Sequence, residues 1–133
     1  MAPVILELAK YPDEIRQVVI STGQHLEMLQ QVLDVFRIQP DHNLDIMLPG
    51  QTLAQITSRV LERLDPLLTE IRPDILLAQG DTSTTFVASL AAFYHKIPVG
   101  HVEAGLRTDN KYDPFPEEIN RRLTAPLADF HFA

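Results

Sequence analysis

The chain has 133 residues, 45% of them hydrophobic, which is enough for one buried core and too few to predict two. Its 11 basic and 18 acidic residues leave a formal charge of −7, which repels phosphate backbones and gives no sign of nucleic-acid binding. The absence of cysteine excludes disulfides and thiolate metal sites. Acidic residues near the start and the lack of an apolar run of about 18 residues predict a cytoplasmic chain with no membrane segment.

Short apolar runs alternate along the chain with stretches in which apolar residues recur at helical spacing. The runs typical of strands lie at residues 17–21, 44–47, 75–78, 97–102 and 130–132. Helices are predicted at residues 3–8, 24–36, 51–71 and 84–94 and from Pro116 onward. Because strict alternation implies βαβ units with right-handed crossovers, the sequence predicts an α/β fold, a Rossmann-like parallel sheet.

The predicted elements have three further features. The run at residues 75–78 is apolar throughout, which predicts a central strand covered on both faces. Pro126 removes a helix donor and is expected to shorten the last helix by a turn at most. The helix at residues 51–71 carries one apolar stripe, formed by Leu53, Ile56, Val60, Leu64, Leu67 and Ile71.

Polar loops follow two of the predicted strands, where ligands gather in open α/β sheets. In QGDTSTT (residues 79–85), Gly80 permits a sharp turn, Asp81 projects from the strand end, and hydroxyls at a helix start can hold an anion or a sugar hydroxyl. Ordinary helix capping is the alternative. In HVEAGLRT (residues 101–108), Glu103 can act as a base beside Arg107, which would hold a negative charge of the ligand. The alternative is a local ion pair between the two residues. His101 is predicted to be a core histidine.

A third polar segment opens the last helix. Glu117 and Arg121, like Glu118 and Arg122, are spaced i, i+4, so helix ion pairs and the helix dipole explain all four charges without any function. The alternative is a functional site, because three acids are expected to lie close together. Asp81, Glu103 and Glu117 arrive on successive connections at one edge of the predicted sheet, an arrangement suited to proton transfer on a bound sugar.

The motifs STGQH, QGDTSTT, HVEAGLRT and PFPEEINR resemble the non-hydrolysing UDP-N-acetylglucosamine 2-epimerases, over essentially the whole chain. The resemblance implies a GT-B-like pair of Rossmann-like domains with the active site in the cleft, in a cytoplasmic homodimer. It implies interconversion of UDP-N-acetylglucosamine and UDP-N-acetylmannosamine by anti elimination of UDP and re-addition, with inversion at C2. Neither a cofactor nor a metal is implied.

The resemblance also assigns roles to residues. Asp81, Glu103 and Glu117 match the catalytic carboxylates, and Glu103 is favoured as the base that takes the C2 proton. Gln24 and Glu117 match positions linked to a second, activating UDP-N-acetylglucosamine, although the chain departs from the regulated pattern at Leu26 and Gly50. Substrate binding is expected at Gly80, Thr82, Ser83, Arg107 and Arg121.

In the family pattern a strand with a GTRPEAIK-like loop precedes this segment, and a second domain supplies a catalytic histidine and the UDP pocket. We therefore expect residues 1–133 to form a partial N-terminal domain without its first strand. Alone, it should be inactive and poorly stable unless the gap closes by direct strand pairing or by a partner chain. A hydrolysing 2-epimerase, which releases free N-acetylmannosamine, and a non-catalytic remnant or binding module are the two alternatives.

Overall fold

The computed structural model describes residues 1–23 and 26–133, the side chains of residues 26–30 excepted. Its architecture is α/β and every described strand pair is parallel, which confirms the predicted fold class. The chain divides into two compact units, Met1–Gly50 and Gln51–Ala133. No helix among the described residues is both long enough and apolar enough to cross a membrane.

The first unit contains two helices and a two-stranded sheet. Its elements are α1 (Ala2–Leu8), β1 (Ile20–Ser21), α2 (Leu26–Phe36) and β2 (His42–Asn43). Residues 24 and 25, at the predicted start of α2, lie outside the described residues.

The second strand of this unit differs from the prediction, because β2 lies just before residues 44–47 and not within them. Asp45 adopts a φ of 45°, a left-handed conformation that interrupts the extended backbone. Leu44 and Ile46, on either side of it, are nevertheless buried. The apolar pattern therefore located the core correctly but placed the strand too late.

The second unit begins with the longest helix, α3 (Leu53–Ile71). A capping box starts it: Gln55 N donates to Thr52 Oγ1 at 3.2 Å, and Thr52 N donates to Gln55 Oε1 at 2.9 Å. In the predicted stripe, Leu53 is exposed and Leu67 and Ile71 are half-buried. Four-residue steps keep side chains in one row, and the observed row is Ile56, Val60, Leu64 and Leu68.

A three-stranded sheet in the order β3 (Leu76–Gln79), β4 (Val99–Val102) and β5 (Phe130–Phe132) follows. The central strand of this sheet is β4, so the prediction of a central position for β3 is wrong here. The predicted cover on both faces is also incomplete, because Ile75 is exposed, Leu76 and Leu77 are half-buried, and only Ala78 of the described run is buried.

Two crossovers position the polar loops. α4 (Ser83–Tyr94) connects β3 to β4, and α5 (Glu117–Thr124) lies between β4 and β5. A single 3₁₀ turn over Ala125–Leu127 follows α5, as expected from Pro126. Because the strands are parallel, the loops after β3 and β4 leave the sheet at the same edge.

Candidate functional site

The loop after β3 is a tight turn in which both backbone groups of Gly80 are hydrogen-bonded. Gly80 has a φ of 82°, its N–H donates to Val102 O at 3.0 Å, and its carbonyl accepts from His101 Nε2 at 2.7 Å. The helix-capping alternative is confirmed for Thr82, whose Oγ1 accepts from Thr85 N at 3.3 Å at the start of α4. Ser83, the first residue of α4, is buried. The turn is therefore held to β4 on one side and to α4 on the other.

His101 is a core histidine, as predicted, and is completely buried in β4. A carbonyl oxygen can only accept, so Nε2 carries the proton in its bond to Gly80 O. Nδ1 is buried and has no partner among the described residues. The imidazole thus connects the middle of β4 to the turn that precedes Asp81.

Asp81 is held by α5 at both its side chain and its backbone. Its Oδ2 accepts from Arg121 Nε at 3.0 Å and from Arg121 Nη2 at 2.8 Å, and its carbonyl accepts from Asn120 Nδ2 at 2.9 Å. The predicted ion pair between Glu117 and Arg121 is not among those of the described residues, because the guanidinium turns toward Asp81. Asp81 therefore has a fixed orientation at the carboxyl end of β3.

Glu118 lies behind this pair and is completely buried. Its Oε1 accepts from Arg122 Nε at 2.7 Å, which confirms the predicted i, i+4 pair. Its Oε2 accepts from Arg121 Nη1 at 2.9 Å and from Thr108 N at 3.0 Å. The Arg122 hydrogen bond, with those from Thr108 and Arg121, lowers the pKa of Glu118 against the opposing effect of burial. Hydrogen bonding to Asp81, more than to Glu118, raises the pKa of Arg121.

Glu103 follows β4 directly and is exposed. Its φ is 63°, a conformation that is strained for a residue with a side chain. Gln79 Nε2 donates to Glu103 Oε2 at 3.3 Å, and the same oxygen lies 3.8 Å from the position that a Cβ on Gly80 would occupy. The structure therefore brings Glu103 over the turn that carries Asp81, as convergence of the two loops predicts.

Two other predicted site residues, Arg107 and Glu117, make no described hydrogen bond to this network. Arg107 is exposed and its Nη1 donates to the carbonyls of Ala104 and Leu106, so the predicted pair with Glu103 is not among the ion pairs of the described residues. Glu117 is half-buried at the first position of α5, and the described contacts include none from its carboxylate. Gln24 lies outside the described residues. Within the described ranges, no three His, Cys, Asp or Glu residues form a group that could hold a metal ion.

Two contributors to the site were missed by sequence reasoning. Asn120 contacts a residue 39 positions away, and no local pattern signals such a contact. Thr108 stands in the HVEAGLRT motif, but its N–H bond to Glu118 depends on how the loop folds onto α5. Glu118 carried a signal in its i, i+4 spacing to Arg122, which pointed to a helix ion pair rather than to a buried anion.

Comparison with known proteins decides the family to which this arrangement belongs. The family model described as UDP-N-acetylglucosamine 2-epimerase matches residues 7–133. The chain belongs to the UDP-N-acetylglucosamine 2-epimerase family. The carboxylate-bearing loops, α5 and the strands that position them all fall within the matched range.

Members of this family from distant organisms are similar to the chain. It is 64% identical over 133 residues to the UDP-N-acetylglucosamine 2-epimerase of Bacillus subtilis strain 168, a match covering 100% of this chain and 35% of that protein. The crystal structure of the Neisseria meningitidis enzyme bound to UDP-GlcNAc matches with a TM-score of 0.95 and 57% identity, covering 100% of this chain and 36% of that one.

The similarity extends to an enzyme from Methanocaldococcus jannaschii. Its crystal structure in complex with UDP-GlcNAc and UDP matches with a TM-score of 0.90 and 34% identity, covering 99% of this chain and 36% of that one. The chain thus spans about 35% of the length of the relatives it matches.

Proposed function

We propose that this chain supplies the carboxylate-bearing face of the active site of a non-hydrolysing UDP-N-acetylglucosamine 2-epimerase. The observation that carries the proposal is the placement of Glu103 over the Gly80 turn, next to an Asp81 fixed by Arg121. Two independently held acids at one sheet edge suit the removal and return of a proton. The two similar crystal structures with bound UDP-GlcNAc support the same substrate class for this chain.

In the proposed reaction, Glu103 takes the proton from C2 of the sugar. The C2–H electron pair forms the C1–C2 double bond, the bond from C1 to the phosphate oxygen breaks, and UDP leaves with its electron pair. UDP then adds back to C1, while a second acid, Asp81 or Glu117, returns a proton to the opposite face of C2. The two acids recover their starting protonation by exchange with water, so the reaction consumes no other reactant.

The other site residues have supporting roles in this proposal. Arg121 orients Asp81, Gly80 leaves room for the Glu103 carboxylate, and Thr82 with Ser83 forms the start of α4 near the sugar. Arg107 is an exposed cation in the loop after β4 and would face the negative diphosphate. Neither a cofactor nor a metal takes part.

The proposal also includes a second domain, a dimer and an activating ligand. A second Rossmann-like domain of a GT-B-like fold would bind the UDP moiety, in a cytoplasmic homodimer. A second UDP-N-acetylglucosamine would contact Gln24 and Glu117. These features rest on the motif resemblance.

A chimera tests the proposed activity with the residues of this chain. The 133 residues replace the matching segment of the Bacillus subtilis relative, and UDP-sugars are separated after incubation in deuterated water. We expect UDP-N-acetylmannosamine to form from UDP-N-acetylglucosamine, with deuterium at C2 and no stoichiometric accumulation of UDP. A chimera that folds like the relative but is inactive would overturn the proposal, and free N-acetylmannosamine with one UDP per turnover would favour the hydrolysing class.

The isolated chain is the companion sample in this experiment. Because it spans only 35% of the length of its relative, we expect no epimerisation from it. Turnover by the purified 133-residue chain would show that these residues alone contain a complete site.

A further inference from the structure

Glu118 is a buried anion for which the proposed reaction has no direct use. Its side chain is fully excluded from solvent, and its two oxygens accept three hydrogen bonds, from Arg121, Arg122 and Thr108. A carboxylate enclosed in this way cannot reach a substrate. Its neighbour Glu117, which has no such contacts among the described residues, is the acid left to face a ligand.

The contact of Glu118 with Arg121 determines which atoms of the guanidinium remain for Asp81. Nη1 of Arg121 is held by Glu118, and Nε and Nη2 both point to Asp81 Oδ2. A guanidinium is planar, so fixing one nitrogen and the plane fixes the directions of the other donors. Asp81 Oδ1 is then the oxygen that has no partner among the described residues.

Glu118 also connects α5 to the loop that follows Glu103. The Thr108 N–H donates to Glu118 Oε2, and the Thr108 carbonyl accepts from Arg122 Nη2 at 2.7 Å. Glu118 thus contacts the loop after Glu103 directly and the turn with Asp81 through Arg121.

We propose that Glu118 is a positioning residue: by holding Arg121 in one orientation, it directs Oδ1 of Asp81 toward the reacting sugar. The inference rests on the proposed function, since the sugar is the ligand that function requires. It separates the two adjacent acids of the PFPEE motif, with Glu117 toward the ligand and Glu118 toward the protein.

Arg122 provides the matched control. It contacts the same carboxylate at the other oxygen, Oε1, and makes no hydrogen bond to Arg121 or Asp81 among the described residues. Arg122→Gln removes one ion pair from Glu118 but leaves the connection through Arg121 to Asp81. Glu118→Gln removes both ion pairs, because an amide is uncharged, and its single acceptor oxygen cannot serve Arg121 and Arg122 at once. If the role of Glu118 were purely structural, the loss of kcat in each variant would follow its loss of thermal stability.

The test compares these variants in the chimera with the Bacillus subtilis relative. We expect Glu118→Gln to lower kcat by roughly 10²-fold with little change in KM, the effect of a misplaced catalytic group. Arg122→Gln should change kcat little, although it also loses an ion pair with Glu118 and some thermal stability. In an Asp81→Asn background, Glu118→Gln should cause no further loss of kcat. Equal losses in the two single variants, or an undiminished effect in that background, would overturn the inference.

A spectroscopic measurement keeps the inference testable apart from turnover. The Arg121 Nε–H proton, hydrogen-bonded to Asp81, should exchange faster with water in Glu118→Gln and unchanged in Arg122→Gln. If Glu118→Gln does not fold, Glu118→Asp replaces it, because aspartate retains the charge but is one methylene too short to contact both arginines. The Arg121 Nε–H proton should exchange faster in this variant as well. Slow exchange in the folded Glu118 variant overturns the positioning role. An inactive unsubstituted chimera with the expected exchange pattern overturns only the proposed function.

Discussion

Arg121 donates two hydrogen bonds to a single oxygen of Asp81, at 3.0 Å from Nε and 2.8 Å from Nη2, across 40 positions of the sequence. The remaining terminal nitrogen, Nη1, donates to Glu118 at 2.9 Å. One guanidinium thus connects the turn after β3 with α5 and with the buried carboxylate behind it. This fork orients Asp81 in a way that a single point charge could not.

Arg121→Lys should therefore impair the site although it keeps the charge. An ammonium group cannot donate in two fixed directions to Asp81 while also contacting Glu118, so Asp81 becomes free to rotate. We expect kcat of the chimera to fall roughly 10²-fold and the thermal midpoint to decrease. Arg122→Lys is the control, because Arg122 does not contact Asp81, and kinetics with thermal melting compare the two. Similar losses of kcat in both variants would contradict the prediction.

Stability in acid should depend on Glu118. Its folded-state pKa lies below its ordinary value of 4.5, so the folded protein takes up this proton less readily than the unfolded chain. The stabilisation is fully present above pH 4.5 and is lost as the pH falls through the lowered folded-state pKa. Urea unfolding of the chimera and its Glu118→Gln variant should show a difference that is largest at neutral pH and shrinks below pH 4.5. A constant difference across this range would be inconsistent with the lowered pKa.

Glu103→Gln should abolish proton exchange at C2 and leave the fold intact. The side chain is exposed and its described hydrogen bond is a 3.3 Å contact from Gln79, so little packing depends on its charge. Loss of a general base lowers rates by about 10²–10⁴-fold. Deuterium incorporation measured by mass spectrometry reports the exchange, with Asp109→Asn as an exposed acid of the same loop for control. Wild-type exchange in the Glu103 variant would remove this residue from the mechanism.

The His101 bond to the Gly80 carbonyl should be replaceable by another donor. Glutamine can place its amide nitrogen near the position of Nε2, whereas leucine leaves the partly buried carbonyl without that bond, at a cost of about 1–3 kcal/mol. We expect His101→Leu to lower both the free energy of unfolding and the rate of C2 exchange. His101→Gln should restore much of each. If glutamine is no better than leucine, the imidazole contributes by shape rather than by its N–H.

The sequence alone predicted much of the fold, because the signals for helices and parallel strands are local. The order of elements, the short last helix before Pro126 and the buried His101 are confirmed. Strand limits were less predictable, since the left-handed Asp45 ends an apolar run that otherwise looks continuous. The apolar run by itself did not show that β3 is an edge strand of its sheet, because pairing is a property of neighbours that the run does not contain.

What the sequence by itself determined is the α/β fold, the family motifs and the arrival of acids at one sheet edge, all of which follow from periodicity and chain connectivity. Only the tertiary structure decided which charges pair. By spacing, Arg121 belongs with Glu117, but such an exposed i, i+4 pair is worth only about 0.3–0.5 kcal/mol. Folding buries Arg121 between Asp81 and Glu118, where three hydrogen bonds to carboxylates outweigh that local preference.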